Sequence, residues 1–500
     1  MLIIDQLKKG DQPLRLVALG VLVGMGLLLV GLFFVQVVSG KRYKASQVSQ
    51  SFRTVRIPAV RGRIFDRRGV PLADNRSSYN VNLYLEELRP QFQAAYAERT
   101  KGRRLSRQER VELGREIRYQ VVSNLVAQAS AALRQSVALD PKQFHEHYEQ
   151  RLALPMPVFP DLPLAGVARF EEQASALPGF VLEIQPLRTY PQRAVAAHVL
   201  GYLKRNDRPE DEDLYTRYSM PAYTGAAGLE LSYDRSLRGT PGVKSVLVNN
   251  LGYRESESTW NEAQPGDNLV LTLDLELQKA AERALAASEA KPRGAIVVMD
   301  VQNGDVLALV SLPAYDPNLF LPRLLEADWQ AYLEPRQAPL FNRATAGSYL
   351  PGSTVKILVG LAALEAGILD PDKLYHSPGY YQLGKRRIKD EAQGGQPASF
   401  DFKRALKQSS NAYFVHYGLL TGIDDLVAMG QRFHLGEKTA LPLPRGQEST
   451  GIFPTPDWRE HRLGGTWHDG DTANISMGRG YVTITPIQMA VLGSAVSNGG

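Results

Sequence analysis

Leu16 to Val35 is a run of twenty residues without a charge, the longest apolar stretch in the chain. As a helix rising 1.5 Å per residue it covers about 30 Å, the hydrocarbon thickness of a bilayer. The competing reading is a cleaved signal peptide, whose apolar core is only ~7–15 residues long and ends at a small-residue site. Here the run passes into Gln36-Val37-Val38-Ser39-Gly40-Lys41 with no A-x-A pattern, which favours an uncleaved signal anchor. Lys8, Lys9 and Arg15 precede the span and Lys41, Arg42 and Lys44 follow it, so the positive-inside count is a tie. No second run of comparable length occurs, which predicts a single-pass chain.

Past the span the pattern alternates. Tyr79, Val81, Leu83 and Leu85 share one side and Asn80 and Asn82 the other, which predicts a half-buried strand. Upstream, Asp66-Arg67-Arg68-Gly69 reads as a turn between two strands. The period changes over 101–135. Ser106 and Glu109 form a capping box, and Val111, Leu113, Ile117, Val121 and Leu125 predict a long amphipathic helix. The proline-rich stretch 154–164 reads as a connector to a helix around Phe170–Ala176, which Leu177-Pro178-Gly179 breaks into a strand, Phe180–Ile184. A boundary falls near 263–267. Beyond it the pattern predicts a strand at Leu269–Leu273, a helix at Leu275–Ala287, and an antiparallel hairpin of Gly294–Asp300 and Val306–Ser311.

Composition narrows the chemistry. At 44% apolar and 22% charged the chain is ordinary globular protein rather than disordered. It has no cysteine, so disulfides, thiolate metal clusters and a thiol nucleophile are excluded. The net charge of +6 is a weak argument for nucleic acid, and none is expected as a partner. The basic stretch at 101–110 reads as a solvated helix surface rather than a polyanion-binding face.

Pro351-Gly352-Ser353-Thr354-Val355-Lys356 opens an apolar helical run that stops at Gly367. Ser353 and Lys356 are one turn apart, the spacing a serine nucleophile needs when lysine is its base. The amine must lose its proton, which burial and nearby positive charge promote. Ser409 and Asn411 follow, two apart in a turn ahead of another helix. A hydroxyl there can relay a proton and an amide can hold a carbonyl. Either motif alone is weak, since S-x-x-K and Ser/Asn caps are common.

Together they match the S-x-x-K and S-x-N elements of penicillin-binding proteins and class A β-lactamases. The blocks RGRIFDRRGVPLADN (61–75), RTYPQRAVAAHVLGY (188–202), GLELSYDRSLRGTPG (228–242), LVSLPAYDPNLF (309–320), NRATAGSYLPGSTVK (342–356) and GDTANISMGRGYVTITPIQMA (470–490) extend the resemblance across most of the chain. The sequence resembles the class B penicillin-binding proteins, in particular their elongation-type branch.

The resemblance implies an α+β architecture. Residues 1–15 would be a cytoplasmic tail, 16–38 a transmembrane anchor, 39–265 an elongated β-rich pedestal (dimerisation) domain with helical insertions, and 266–500 a transpeptidase domain. That last domain would be a central antiparallel sheet flanked by helices. It implies a peptidoglycan D,D-transpeptidase of the bacterial inner membrane, with its catalytic domain periplasmic and no cofactor. Ser353 would attack the D-Ala–D-Ala carbonyl of a stem peptide, with Lys356 as base, Ser409 as proton shuttle, Asn411 as positioning amide and the Ser353 backbone N–H as an oxyanion donor. Gly478 and Gly480 would lie at the substrate-binding cleft, and Trp467 beside it reads as ordinary packing. β-Lactams would acylate Ser353. A SEDS-type, RodA-like glycan polymerase and wall-assembly scaffolds would be the partners.

Three departures from the family pattern stand out. No K-T-G follows Gly480, which reads as truncation before that strand. The Asp/Asp/His/Cys zinc set of some elongation-type relatives falls on Ser377, Asp390, Gly395 and Ser410, so no zinc is expected. Ser-Ser-Asn replaces the S-x-D common in those relatives, which leaves a division-specific subtype open. A non-catalytic β-lactam sensor or structural activator of the polymerase is the alternative function. A β-lactamase is disfavoured for want of a deacylating glutamate.

Overall fold

The computed structural model describes residues 12–34, 52–102, 104–206, 218–219, 222–249, 251, 253–289, 292–322 and 324–500. The flanking cations Lys8, Lys9, Lys41, Arg42 and Lys44 lie outside the described residues. The helix Gln12–Phe33 carries the apolar run, and its Leu16–Phe33 portion is long and apolar enough to cross a membrane, with none of it buried against the protein.

Two sheets follow. In the first, Pro71–Leu83 is the spine. It pairs with Ile64–Phe65, with Met156–Phe159 and, in unbroken antiparallel register from Asp74↔Thr189 to Leu83↔Phe180, with Phe180–Thr189. The second has the order Arg254–Asn261, Gly242–Val248, Phe52–Ile57, Tyr218–Ser219. The turn at 66–69 forms as expected because the Asp66 carboxylate accepts from the backbone N–H groups of Arg68 and Val70, at 2.9 and 2.7 Å.

Several expectations are corrected. Leu85 lies in a short 3-10 turn, Leu85–Leu88, although it stays buried. The capping box at Ser106 and Glu109 forms, but Val111 is 66% exposed. Helix Arg107–Leu133 buries only its later turns, through Ile117, Val122, Leu125, Val126, Ala129 and Leu133. The proline-rich connector contains a strand, Met156–Phe159. Its place at the sheet edge is what lets a Pro-rich segment pair. At 269–273 only Leu269–Val270 is strand, parallel to Ile64–Phe65. Helix Leu275–Ala286, capped by the Asp274 side chain, and the hairpin Gly294–Met299/Val306–Leu312 are as expected. The predicted central sheet is, among the described residues, this two-stranded hairpin, with helices Leu275–Ala286 and Pro486–Asn498 packed on it.

The three N-terminal sequence blocks meet around one carboxylate. Glu230, fully buried, accepts from Arg61 Nε at 2.6 Å, Arg188 Nε at 2.7 Å and the Tyr190 hydroxyl at 3.2 Å. Arg61 also reaches Asp234 at 2.8 Å. Next to this cluster, Ile64, Leu72, Tyr190, Leu200 and Leu229 share a core with Leu273, Leu275, Leu309 and Ala344. The two halves of the chain are thus joined by apolar packing.

Candidate active site

The chain enters the site through a 3-10 turn, Gly352–Val355, that runs into helix Lys356–Glu365. This helix is apolar on nearly every side. Val355, Leu358, Val359, Ala362 and Ala363 are buried in one hydrophobic core, against Tyr413, Phe414 and Tyr417 of helix Asn411–Thr421. Lys356 leads the helix into that core and is only 1% exposed. Its burial is offset by full hydrogen bonding. The ammonium donates to the Ser409 carbonyl at 2.7 Å, the Ser409 hydroxyl at 3.0 Å and Asn411 Oδ1 at 2.7 Å, which uses all three of its donors. Burial, aided by the charge of Arg479 and opposed by Asp390 and Glu391, pulls its pKa down from 10.5 to about 8.

Ser409 owes its position to a helix end. Helix Phe402–Gln408 stops in a left-handed residue, Ser409 at φ 58°, a conformation costly for a side chain other than glycine. That turn sends both the carbonyl and the hydroxyl of Ser409 to Lys356. Ser410 then caps the next helix, its Oγ accepting from the Tyr413 N–H at 3.1 Å. Asn411 is oriented from both ends. Its Nδ2 donates to the Lys389 carbonyl at 3.1 Å and its backbone N–H to Asp390 Oδ1 at 2.8 Å, which leaves Oδ1 to face the amine.

Ser353 is exposed on the 3-10 turn, one turn outward from Lys356, and its hydroxyl takes no hydrogen-bond partner among the described residues. The hydrogen-bond partners of the Lys356 amine are Ser409 and Asn411. Gly478 lies behind this turn. Its carbonyl accepts from the Gly352 N–H at 3.1 Å, and at φ 65° a Cβ on it would fall 2.0 Å from the Gly352 carbonyl oxygen. Gly480 also has positive φ, beside Asn474. Trp467 packs on the core and donates to Thr472 Oγ1 at 2.8 Å.

Two family models match the chain: the penicillin-binding protein dimerisation domain over residues 56–271 and the penicillin-binding protein transpeptidase domain over residues 294–500. The peptidoglycan D,D-transpeptidase MrdA of Escherichia coli K12 is 33% identical over 479 residues, covering 94% of this chain and 70% of that relative. This chain belongs to the PBP2-type, class B penicillin-binding proteins.

The transpeptidase also resembles solved structures. The complex between PBP2 and MreC from Helicobacter pylori superposes with a TM-score of 0.69 at 25% identity, over 90% of this chain and 77% of that one. A peptidoglycan synthase complex described as coordinating polymerization and crosslinking gives 0.66 at 28% identity, over 98% and 78%. The transpeptidase has the two-domain, α+β fold of the family and is an elongation-type peptidoglycan D,D-transpeptidase.

The positions that match a zinc set in some relatives do come together, but not as metal donors. Asp390 is buried, and its Oδ2 accepts from the Ser377 hydroxyl at 3.0 Å and the Ser410 hydroxyl at 2.7 Å. One carboxylate already taken by three donors, two hydroxyls and a glycine do not make a zinc site. No group of three or more His, Asp or Glu residues able to hold a metal occurs among the described residues. Sequence reasoning missed what Asp390 does, because its partners lie 13 and 20 residues away and no local spacing announces them. The cap at Ser410 was findable, since Ser before a helical run is the usual N-cap.

Proposed function

We propose that Ser353 is the nucleophile of the transpeptidase and Lys356 its base. The observation that carries this reading is a buried amine at about pKa 8, held by Ser409 and Asn411 one turn inside an exposed serine. Neutral Lys356 takes the Ser353 hydroxyl proton as Oγ bonds to the penultimate D-alanyl carbonyl of a stem peptide. The developing oxyanion is met by the Ser353 backbone N–H. On collapse the peptide C–N bond breaks, and the leaving D-alanine amine receives the proton from Lys356 through the Ser409 hydroxyl. An amine of a neighbouring stem then attacks the acyl-enzyme carbonyl; as the new amide C–N bond forms, the ester C–O bond to Ser353 breaks, and the amine's proton passes through Ser409 and Lys356 to Ser353 Oγ. Asn411 holds Lys356 and the substrate amide. Gly478 and Gly480 keep the backbone tight beside the cleft. A β-lactam enters at the first step and stays as the acyl-enzyme.

Residues 16–38 anchor the chain in the inner membrane, 39–265 form the pedestal, and 266–500 form the transpeptidase domain, placed in the periplasm. The likeness of the chain to a complex between PBP2 and MreC and to a peptidoglycan synthase complex that coordinates polymerization and crosslinking supports scaffold proteins and a glycan polymerase as its partners. Fluorescent penicillin labelling of the full chain tests the reading. Covalent label is expected on the wild type, mapping to Ser353 and lost in Ser353→Ala. A label that persists in Ser353→Ala, or none on the wild type, overturns it.

A further inference from the structure

We propose that Asp390 is a positioning residue for transpeptidation, its carboxylate doing with hydrogen bonds what fixes the Ser409–Asn411 turn against Lys356. The inference rests on the assignment of Lys356 as base, and deepens it.

Three donors from two directions converge on this carboxylate. The Asn411 N–H reaches Oδ1 at 2.8 Å, while the Ser410 and Ser377 hydroxyls reach Oδ2 at 2.7 and 3.0 Å. Asp390 is 1% exposed and Ser410 fully buried, so none of these bonds has water to replace it. The residue before Asp390 completes the grip, because the Lys389 carbonyl accepts from Asn411 Nδ2 at 3.1 Å. The Asp390 backbone is in turn fixed, its N–H donating to the Gly379 carbonyl at 2.9 Å, while the Gly379 N–H donates to the Ser377 hydroxyl at 3.2 Å. Ser377 thus spends its one hydroxyl proton on Asp390 while accepting from Gly379. Ser410 does the same, accepting from Tyr413.

Both serines are locked as donors, and both point at a carboxylate that has no donor of its own. An amide at 390 would set its NH2 group against one of these donors. Asn411 and the left-handed Ser409 would then lose the anchor that aims their acceptors at Lys356. Asp390 never touches Lys356 through a hydrogen bond; it acts through Asn411 and Ser410.

The charge of Asp390 gives a second, independent readout. The charged groups acting on Lys356 are Asp390 and Glu391, which raise its pKa, and Arg479, which lowers it. In Asp390→Asn the neutral amine therefore becomes more accessible at low pH, while its alignment is lost. The test is the acylation rate of the full chain by a chromogenic or fluorescent penicillin across pH 6–10, with wild type and Ser353→Ala as controls. Asp390→Asn is expected to lower the plateau rate by about 100-fold, as a misplacement on the order of an ångström does, and to move the acid limb to lower pH. Ser377→Ala, which keeps the charge and the Ser410 cap, is expected to lose less and to leave the limb in place. Exhaustive chelation is expected to leave wild-type acylation unchanged.

A wild-type rate and pH profile in folded Asp390→Asn overturns the proposal, as does a chelation loss that zinc restores. If Asp390→Asn does not fold, Ser377→Ala decides, and a wild-type plateau there overturns it. A label independent of Ser353 in the controls would instead overturn the underlying assignment.

Discussion

Burial and Arg479 leave the Lys356 amine at about 8 rather than 10.5, and with Lys356 as the proposed base this sets the expected response of acylation to pH. Only the neutral amine accepts a proton. The acylation rate should therefore rise about tenfold per pH unit below pH 8 and level off above it; stopped-flow acylation with a penicillin reads it directly. A midpoint below pH 6 would show that another group limits the step. Lys356→Arg separates hydrogen bonding from base strength. A guanidinium offers donors to Ser409 and Asn411 but stays protonated at any usable pH, so acylation should fall by about 10²–10⁴-fold while the chain stays folded by circular dichroism. At this scale Ser353, Lys356, Ser409 and Asn411 are legible in the sequence because each motif is local. The way Lys356 is held is not. It depends on a serine adopting φ 58° at a helix end, which no spacing rule anticipates. The same is true of Asp390, whose partners are gathered by tertiary packing.

The turn that carries Ser353 is placed by another element. Gly478 follows helix Asp469–Ile475, and its backbone lies directly on Gly352. Ala at 478 puts a Cβ 2.0 Å from the Gly352 carbonyl oxygen at φ 65°, so the Ser353 turn must move. The expected cost is about 1–3 kcal/mol of stability, with a fall in acylation rate larger than that of Gly480→Ala. At Gly480 the nearest atom stands at 3.2 Å and belongs to the Asn474 side chain. Urea unfolding and acylation kinetics on the two variants check this; equal effects would remove Gly478 from the placement of Ser353. Element by element, periodicity finds the helices with capping signals, such as Arg107–Leu133, and the strands with a clean alternation. It fails where one element's burial is set by another. Val111 continues the helical stripe but is left exposed. Met156–Phe159 is a strand in spite of Pro157 because Pro71–Leu83 offers an edge.

Across the whole molecule, Glu230 is where distant sequence blocks become one structure. Arg61, Arg188 and Tyr190 all converge on it, and Arg61 and Arg188 are almost wholly buried with it. The sequence blocks at 61–75, 188–202 and 228–242 are recognisable as family motifs, yet nothing in their order says that their charges meet. That knowledge needs the fold. Glu230→Ala would leave two buried guanidiniums facing each other, with only Asp234 on the Arg61 side to answer. Losing one partner of a buried charge set costs about 3–5 kcal/mol, so the urea midpoint of the variant should drop accordingly. Glu230 shares no hydrogen bond with Lys356, Ser409 or Asn411. The folded fraction should therefore acylate penicillin at the wild-type rate. A variant that keeps its midpoint would show that the shared apolar core of Leu229, Tyr190, Leu275 and Leu309 holds the halves together without the charges. One that keeps its midpoint but loses acylation would show that the Glu230 cluster and the Lys356 helix are coupled through that core.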